Sequence, residues 1–137
     1  LKVEDLMKHR DELKPLSLNS SFLEVISELT RSGIGSCWIK DEKNMKKLIG
    51  IITDGDLRRA LRHYEPNVWE SLVAEEIMTK DPIIIEPDIF AIEALKLMED
   101  NSKKQSVSVL PVINVKSEFL GILRLHDLVQ AGLKENK

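Results

Sequence analysis

The side chains whose types and spacing suit chemistry lie in one phrase, LIGIITDGDLRRALRHY, from Leu48 to Tyr64. Leu48 to Ile52 is a short apolar, β-branched run, the mark of a buried strand. From Leu57 the period changes to Leu57, Ala60, Leu61, Tyr64, one face of a helix. Between them stand Thr53, Asp54, Gly55 and Asp56. Thr53 or Asp54 can cap the helix, and Asp56, inside its first turn, is placed to meet the unpaired N–H groups and the positive end of the helix dipole. That chemistry is a cap in the first instance, and it leaves open whether the same acid also meets a ligand. Arg58 and Arg59 carry positive charge in the same turn, unfavourable by about 0.3–1 kcal/mol, which an anion, a partner carboxylate or a nearby Glu or Asp would offset.

The phrase returns near the C-terminus as FLGILRLHDL, Phe119 to Leu128. Gly50 aligns with Gly121, Asp56 with Asp127 and Leu57 with Leu128, a constant offset of 71 residues and about half the chain. This offset is too long for most solenoid repeats and marks an internal duplication. The copies differ where Arg124 stands in place of Thr53, either as a receptor for an anion or as a solvated surface charge. His126, beside Asp127, reads either as a capping or packing residue or as a donor to a ligand.

The elements that must position these residues follow the same duplication. VEDLMK (Val3 to Lys8) and VAEEIMTK (Val73 to Lys80) are predicted as short helical turns, with Met7 and Met78 as core filler. Extended segments at Pro15 to Leu18 and Pro82 to Ile85 each precede an amphipathic helix. Asn19 or Ser20 opens Phe22, Val25, Ile26, Leu29, and Asp88 opens Ala91, Ala94, Leu95, Met98. After the break at Gly33-Ile34-Gly35, strands are predicted at Ser36 to Lys40 and, in the second copy, Ser106 to Asn114, where Pro111 points to a strand end, an edge or a bulge. Turns at Asp41 to Lys47 and Val115 to Glu118 close a β-hairpin in each half. The connection from Glu65 to Leu72 carries Trp69 as a packing anchor. Each half, 1–72 with the linker and 73–137, is too small to bury both faces of its sheet alone. The two are therefore expected to pack face to face in one α+β module.

With 137 residues, 42% hydrophobic and 31% charged, the chain is long enough to bury roughly two thirds of its surface in one compact domain. A net charge of −3 and a pI near 5.7 argue against an electrostatic grip on nucleic acid. Cys37 is the only cysteine, which excludes an intrachain disulfide and a CxxC site. No apolar run reaches the length of a membrane span and no N-terminal leader pattern is present, so the expected location is the cytoplasm. Starting at Leu1, the chain reads as a piece of something longer.

A β-α-β-β-α repeat ending in G-I-I-T-x-x-D-L, present twice, resembles a tandem pair of CBS domains, the Bateman module named after cystathionine β-synthase. More narrowly, Ile52 to Arg59 (ITDGDLRR), His126 to Leu133 (HDLVQAGL) and Leu1 to Met7 (LKVEDLM) are similar to the regulatory tail of bacterial D-arabinose 5-phosphate isomerases of the KpsF/GutQ type. The resemblance implies that a sugar isomerase (SIS) domain precedes the pair in the parent and interconverts ribulose 5-phosphate and arabinose 5-phosphate for Kdo and lipopolysaccharide synthesis. By the same implication this fragment is no enzyme, and the sequence shows no Gly-rich phosphate loop, no HExxH and no recognisable Ser/His/Asp set.

CBS pairs commonly bind adenosine-containing ligands in the two clefts between the halves, with the motif Asp receiving ribose hydroxyls and the motif Thr or Ser contacting ribose or phosphate. This maps onto Thr53 and Asp56 in the first copy and Asp127 in the second, with Arg124, His126, Ser36 and Ser106 as further ligand-binding candidates. A carboxylate has two acceptor oxygens for the two hydroxyls of a cis-diol, and the adjacent helix start offers N–H groups to a phosphate. The resemblance implies no required cofactor, no metal, and a regulatory ligand such as AMP, ATP or CMP-Kdo.

A reading of another class is an assembly element, a homodimer through the helices at Leu57 to Leu61 and Leu128 to Leu133, giving a tetramer in the parent. That reading predicts a concentration-dependent dimer, and sedimentation showing a monomer at high concentration counts against it.

Overall fold

The structure, a computed structural model, describes residues 1–102 and 107–133, so the candidate Ser106 lies outside the described residues. In chain order the elements are α1 (Val3–Leu6), β1 (Lys8–His9), α2 (Phe22–Ser32), β2 (Ser36–Lys40), β3 (Leu48–Thr53), α3 (Asp54–His63), α4 (Ala74–Ile77), β4 (Thr79–Lys80), α5 (Ala91–Ser102), β5 (Val109–Ile113), β6 (Phe119–Arg124) and α6 (Leu125–Gln130). Two 3-10 turns, Arg10–Glu12 and Pro66–Ser71, join them. The class is mixed α+β with two three-stranded antiparallel sheets, ordered β2-β3-β4 and β1-β6-β5.

Packing divides the chain differently from the sequence repeat. One compact unit is Asp11–Pro82, the other Leu1–Arg10 together with Ile83–Lys137. The leading turn of each repeat completes the sheet and core of the other repeat's body. Residues 1–10 bring β1 to β6, with Lys8 opposite Ile122 and His9 opposite Gly121, while Val3 N–H donates to Ile89 O at 2.9 Å and Ala91 N–H to Leu1 O at 2.8 Å. In the 11–82 unit β4 does the same for β3, with Thr79 opposite Ile51 and Lys80 opposite Gly50, and Ala74 N–H donates to Ser20 O at 2.8 Å. A two-stranded hairpin is marginal in water, and this third strand is what each hairpin otherwise lacks.

Each unit has its own apolar core. Val25, Leu29, Cys37, Ile39, Ile52, Ala60 and Ile77 build that of the 11–82 unit, with Trp69 and Met78 packed against it. Val3, Ala94, Leu95, Met98, Leu110, Leu123 and Leu128 build the other, with Met7 at its edge. Leu128 lies in one core and Leu57 packs onto the other, so these two residues of the expected dimer face turn inward, whereas Val129 is exposed.

Three local expectations shift. The extended segments are reduced to single parallel bridges, Leu16 to Ile39 and Ile85 to Val112, and Pro15 has no N–H with which to lengthen the first. Ser21, not Asn19 or Ser20, caps α2: its Oγ accepts from Glu24 N–H at 3.1 Å and Glu24 Oε1 accepts from Ser21 N–H at 3.2 Å. Ser20 Oγ is already engaged, accepting from Ser17 N–H at 2.9 Å. Asp88 lies in the turn before α5, and Pro111 sits in edge strand β5 beside a bulge at Val112/Ile113.

Buried Glu28 ties α2 to the chain before it. Its carboxylate accepts from Arg31 Nε at 2.6 Å, Arg31 Nη2 at 2.7 Å and Lys14 N–H at 2.9 Å, and Arg31 Nη2 also donates to Glu12 O at 3.0 Å. The hydrogen bonds it donates to Glu28 hold the Arg31 guanidinium pKa above its ordinary value.

The exchanged strands cross the hairpins at the duplicated glycines. A Cβ on Gly50 would lie 2.6 Å from Met78 Sδ and 3.1 Å from Thr79 O, and one on Gly121 would meet the backbone carbonyl of Lys8. Methionine can yield and a strand carbonyl cannot, so Gly121→Ala is expected to lose more stability than Gly50→Ala, within the range of about 1–3 kcal/mol usual for overpacking. Urea denaturation of the two variants measures this, and equal midpoints would contradict the crossing argument.

Candidate functional site

Each unit places a buried acid at a strand-to-helix junction. In the 11–82 unit β3 ends at Thr53 and α3 starts at Asp54; Thr53, not Asp54, is the N-cap and Asp56 the third helical residue. Thr53 Oγ1 accepts from Asp56 N–H at 3.2 Å, and Asp56 Oδ2 accepts from Thr53 N–H at 2.9 Å and from the Thr53 hydroxyl at 3.1 Å. The other oxygen, Oδ1, accepts from Arg59 Nη2 at 2.7 Å and from the Thr79 hydroxyl at 2.7 Å. The carboxylate therefore has four donors. Oδ2 is held by the cap itself, whereas Oδ1 is held by a rotatable hydroxyl and by an arginine whose side chain is 69% exposed.

The second junction solves the same burial differently. Arg124 caps α6 without a side-chain acceptor, and Asp127 reaches back to Arg124 N–H at 3.0 Å. The Arg124 guanidinium then closes on the acid, Nε to Oδ2 at 3.2 Å and Nη2 to Oδ1 at 2.8 Å. Arg124 is 17% exposed and Asp127 8%, so this is a two-pronged, largely buried ion pair and not a solvated surface charge. The single cation moves from one turn after the acid, Arg59, to three residues before it. His126 is exposed in the first turn of α6.

Ser36 lies opposite Thr53 across β2 and β3, and residues so paired project their side chains to the same face of the sheet. It is fully buried, and among the described residues its Oγ has no hydrogen-bond partner. The pairing of β5 with β6 sets Val109 opposite Arg124, so the counterpart of Ser36 by register is Val109. The structure thus brings Ser36, Thr53 and Asp56 together in one unit and Arg124 and Asp127 together in the other. Thr79 was missed by sequence reasoning. The alignment of Met78-Thr79 with Met7-Lys8 was the available signal that one copy carries a hydroxyl there and the other an ammonium.

Cys37 neighbours the junction but is no nucleophile. Burial pushes its thiol up to about 12, with the charges of Glu28, Asp56 and Asp54 adding to the effect and a backbone hydrogen bond at Ile52 opposing it. Among the described residues no group of three or more His, Cys, Asp and Glu side chains is placed to hold a metal ion, and no helix is long and apolar enough to cross a membrane.

The family model described as CBS domain matches residues 3–63 and 73–134. The arabinose 5-phosphate isomerase KdsD of Pseudomonas aeruginosa is 38% identical over 134 residues, covering 97% of this chain and 38% of the relative. The KdsD of Salmonella typhimurium is 35% identical over 133 residues, with the same coverage. The chain thus spans 38% of the length of these curated relatives. Among solved structures, the CBS domain pair of protein MJ0100, in complex with 5′-methylthioadenosine and S-adenosyl-L-methionine, superposes with a TM-score of 0.78 at 26% identity, covering 96% of this chain and 95% of that one.

The two ion pairs differ in measurable strength. Arg124→Ala removes a charge-assisted pair from a buried acid and is expected to cost about 1–3 kcal/mol. Arg59→Ala removes an exposed one, at less than about 1 kcal/mol. Denaturant midpoints that fall equally for both would overturn the distinction. For Cys37, a thiolate-directed reagent at pH 8 is expected to label the thiol only after unfolding. Because the folded value lies above the unfolded one, the thiol's contribution to stability is complete below pH 9 and lost as pH rises toward about 12, and Cys37→Ala flattens that limb.

Proposed function

This chain belongs to the CBS domain family, and from that premise we propose that it is the ligand-sensing regulatory pair of an arabinose 5-phosphate isomerase, taking a nucleotide or nucleotide sugar at a strand-to-helix junction. On this reading the isomerase chemistry, ribulose 5-phosphate to arabinose 5-phosphate and back, belongs to a sugar isomerase domain in the part of the parent outside this chain, and the parent works in the cytoplasm. Identities of 35–38% to two KdsD isomerases over 38% of their length support that parentage.

The ligand class rests on one observation, the polar cluster of Ser36, Thr53, Asp56 and Thr79. Ser36, a buried hydroxyl without a partner among the described residues, pairs across the sheet with Thr53, which caps the helix of an Asp56 whose Oδ1 is held by exchangeable donors. A buried polar group left unpaired is costly, and a ligand hydroxyl or phosphate would relieve it. The ligands of the MJ0100 pair, both adenosine derivatives with a vicinal ribose diol, support the same class. Feedback by the end product adds CMP-Kdo, whose cytidine ribose carries that diol as well.

Thermal denaturation against AMP, ATP, CMP, CMP-Kdo and arabinose 5-phosphate tests the reading. A ligand that binds only the folded state stabilises by about 2.7 kcal/mol at 100 times its Kd. A selective rise in Tm with a nucleotide or nucleotide sugar is expected. No rise with any of them would sink the sensing role and leave the assembly element in its place.

A further inference from the structure

Because the two units are copies, an element present in one shows what the other lacks. In the 11–82 unit the 3-10 turn Pro66–Ser71 packs against α2 and leads into Leu72, which is 3% exposed. Leu72 N–H donates to Trp69 O at 3.1 Å, Leu72 O accepts from Phe22 N–H at 3.0 Å at the start of α2, and Trp69 packs against the core. The 71-residue offset makes Leu1 the counterpart of Leu72. Its carbonyl takes the same place, accepting from Ala91 N–H at 2.8 Å at the start of α5, yet Leu1 is 70% exposed. One backbone anchor thus carries a buried leucine in one unit and a bare one in the other.

Phe90 sharpens the contrast. It immediately precedes α5 as Ser21 precedes α2, and an antiparallel bridge pairs it with Lys2 just as Ser21 pairs with Val73. Ser21 closes a capping box with Glu24, whereas Phe90, with Glu93 at the matching position, has no side-chain oxygen to complete one. Phe90 is also 54% exposed, so it neither caps the helix nor fills the core. A local rule broken with no gain in packing points to a role outside the unit. Ile92 gives no such contrast, because its counterpart Leu23 is exposed in the 11–82 unit as well.

Resting on the parentage proposed above, with the isomerase domain first, we propose that Leu1 and Phe90 are the seat of the parent's segment immediately upstream, which docks as a turn in the manner of Pro66–Ser71. That segment carries an apolar side chain three residues ahead of Leu1, where Trp69 stands ahead of Leu72. The relatives supply the chain for it, since the present chain spans 38% of their length. Leu1 leads directly into Val3 of the core and into β1 of the sheet, so the seat joins the upstream domain to this unit by packing as well as by the covalent chain.

Thermal denaturation tests this on the present chain and on the chain extended upstream to the end of the isomerase domain, each with and without Phe90→Ser. In the present chain Phe90→Ser supplies the missing cap and is expected to leave Tm unchanged or raised. The extended chain is expected to melt higher than the present one, and there the same substitution should lower Tm by a few degrees. A shift of the same sign in both chains, or no rise in Tm on extension, would overturn the seat. So would a concentration-dependent dimer of the present chain that Phe90→Ser dissociates, because the occupant is then a second copy. Turnover of arabinose 5-phosphate by the whole parent decides the parentage separately: a parent without turnover overturns that reading, whereas an active parent that fails the Tm comparison overturns only the seat.

Discussion

The close crossing of an exchanged strand over a hairpin glycine is the constraint on which the rest of each unit depends. β4 lies against Gly50, where a Cβ would press on Met78 and the Thr79 carbonyl, and β1 lies against Gly121, where a Cβ would meet the Lys8 carbonyl. If either crossing were held further out, the hairpin would lose its third strand and the core would lose the apolar residues that arrive with it, Ala74 and Ile77 in one unit and Val3 in the other. In the 11–82 unit the same crossing delivers Thr79 to Asp56. Sheet formation, core closure and the composition of the junction therefore share one steric condition.

Burying a carboxylate is costly unless its oxygens are satisfied, and the duplicated fold meets that demand in two ways. The first copy uses hydroxyls, a backbone cap and a solvated arginine at the following turn. The second uses one arginine that replaces the capping threonine and supplies backbone and side-chain donors together. Charge balance is the same in both, one arginine three residues from the acid, but its rigidity is not. Hydroxyls rotate without leaving their place, and an exposed guanidinium is held by little more than its ion pair. A buried fork has no comparable freedom. Duplication preserved the cap and allowed the chemistry around it to diverge.

Sequence alone determined what is local. The 71-residue repeat, the two hairpins, the amphipathic helices and the capping acids Asp56 and Asp127 follow from periodicity and cap chemistry acting over a few residues. The family was legible for the same reason, since its motif is a contiguous strand, cap and helix. Thr53, Asp56, Arg124 and Asp127 each stand at a junction, whereas the pairing of Arg124 with Asp127 and of Thr79 with Asp56 was hidden.

Tertiary structure decided what pairs at long range. Residues 1–10 join 83–137, Thr79 reaches Asp56 across 23 positions, and Glu28, which reads as an ordinary helix-surface acid, becomes a buried clamp on Lys14 and Arg31. Ser36 was set against Ser106 by sequence order, yet the strand register assigns its place to Val109. The hairpin turn is shorter in the second copy, and loops change length without cost to the ladder. Periodicity states which face of an element is apolar, but not which distant segment covers that face. That choice belongs to backbone pairing and to the space at Gly50 and Gly121, which exist only once the chain has folded.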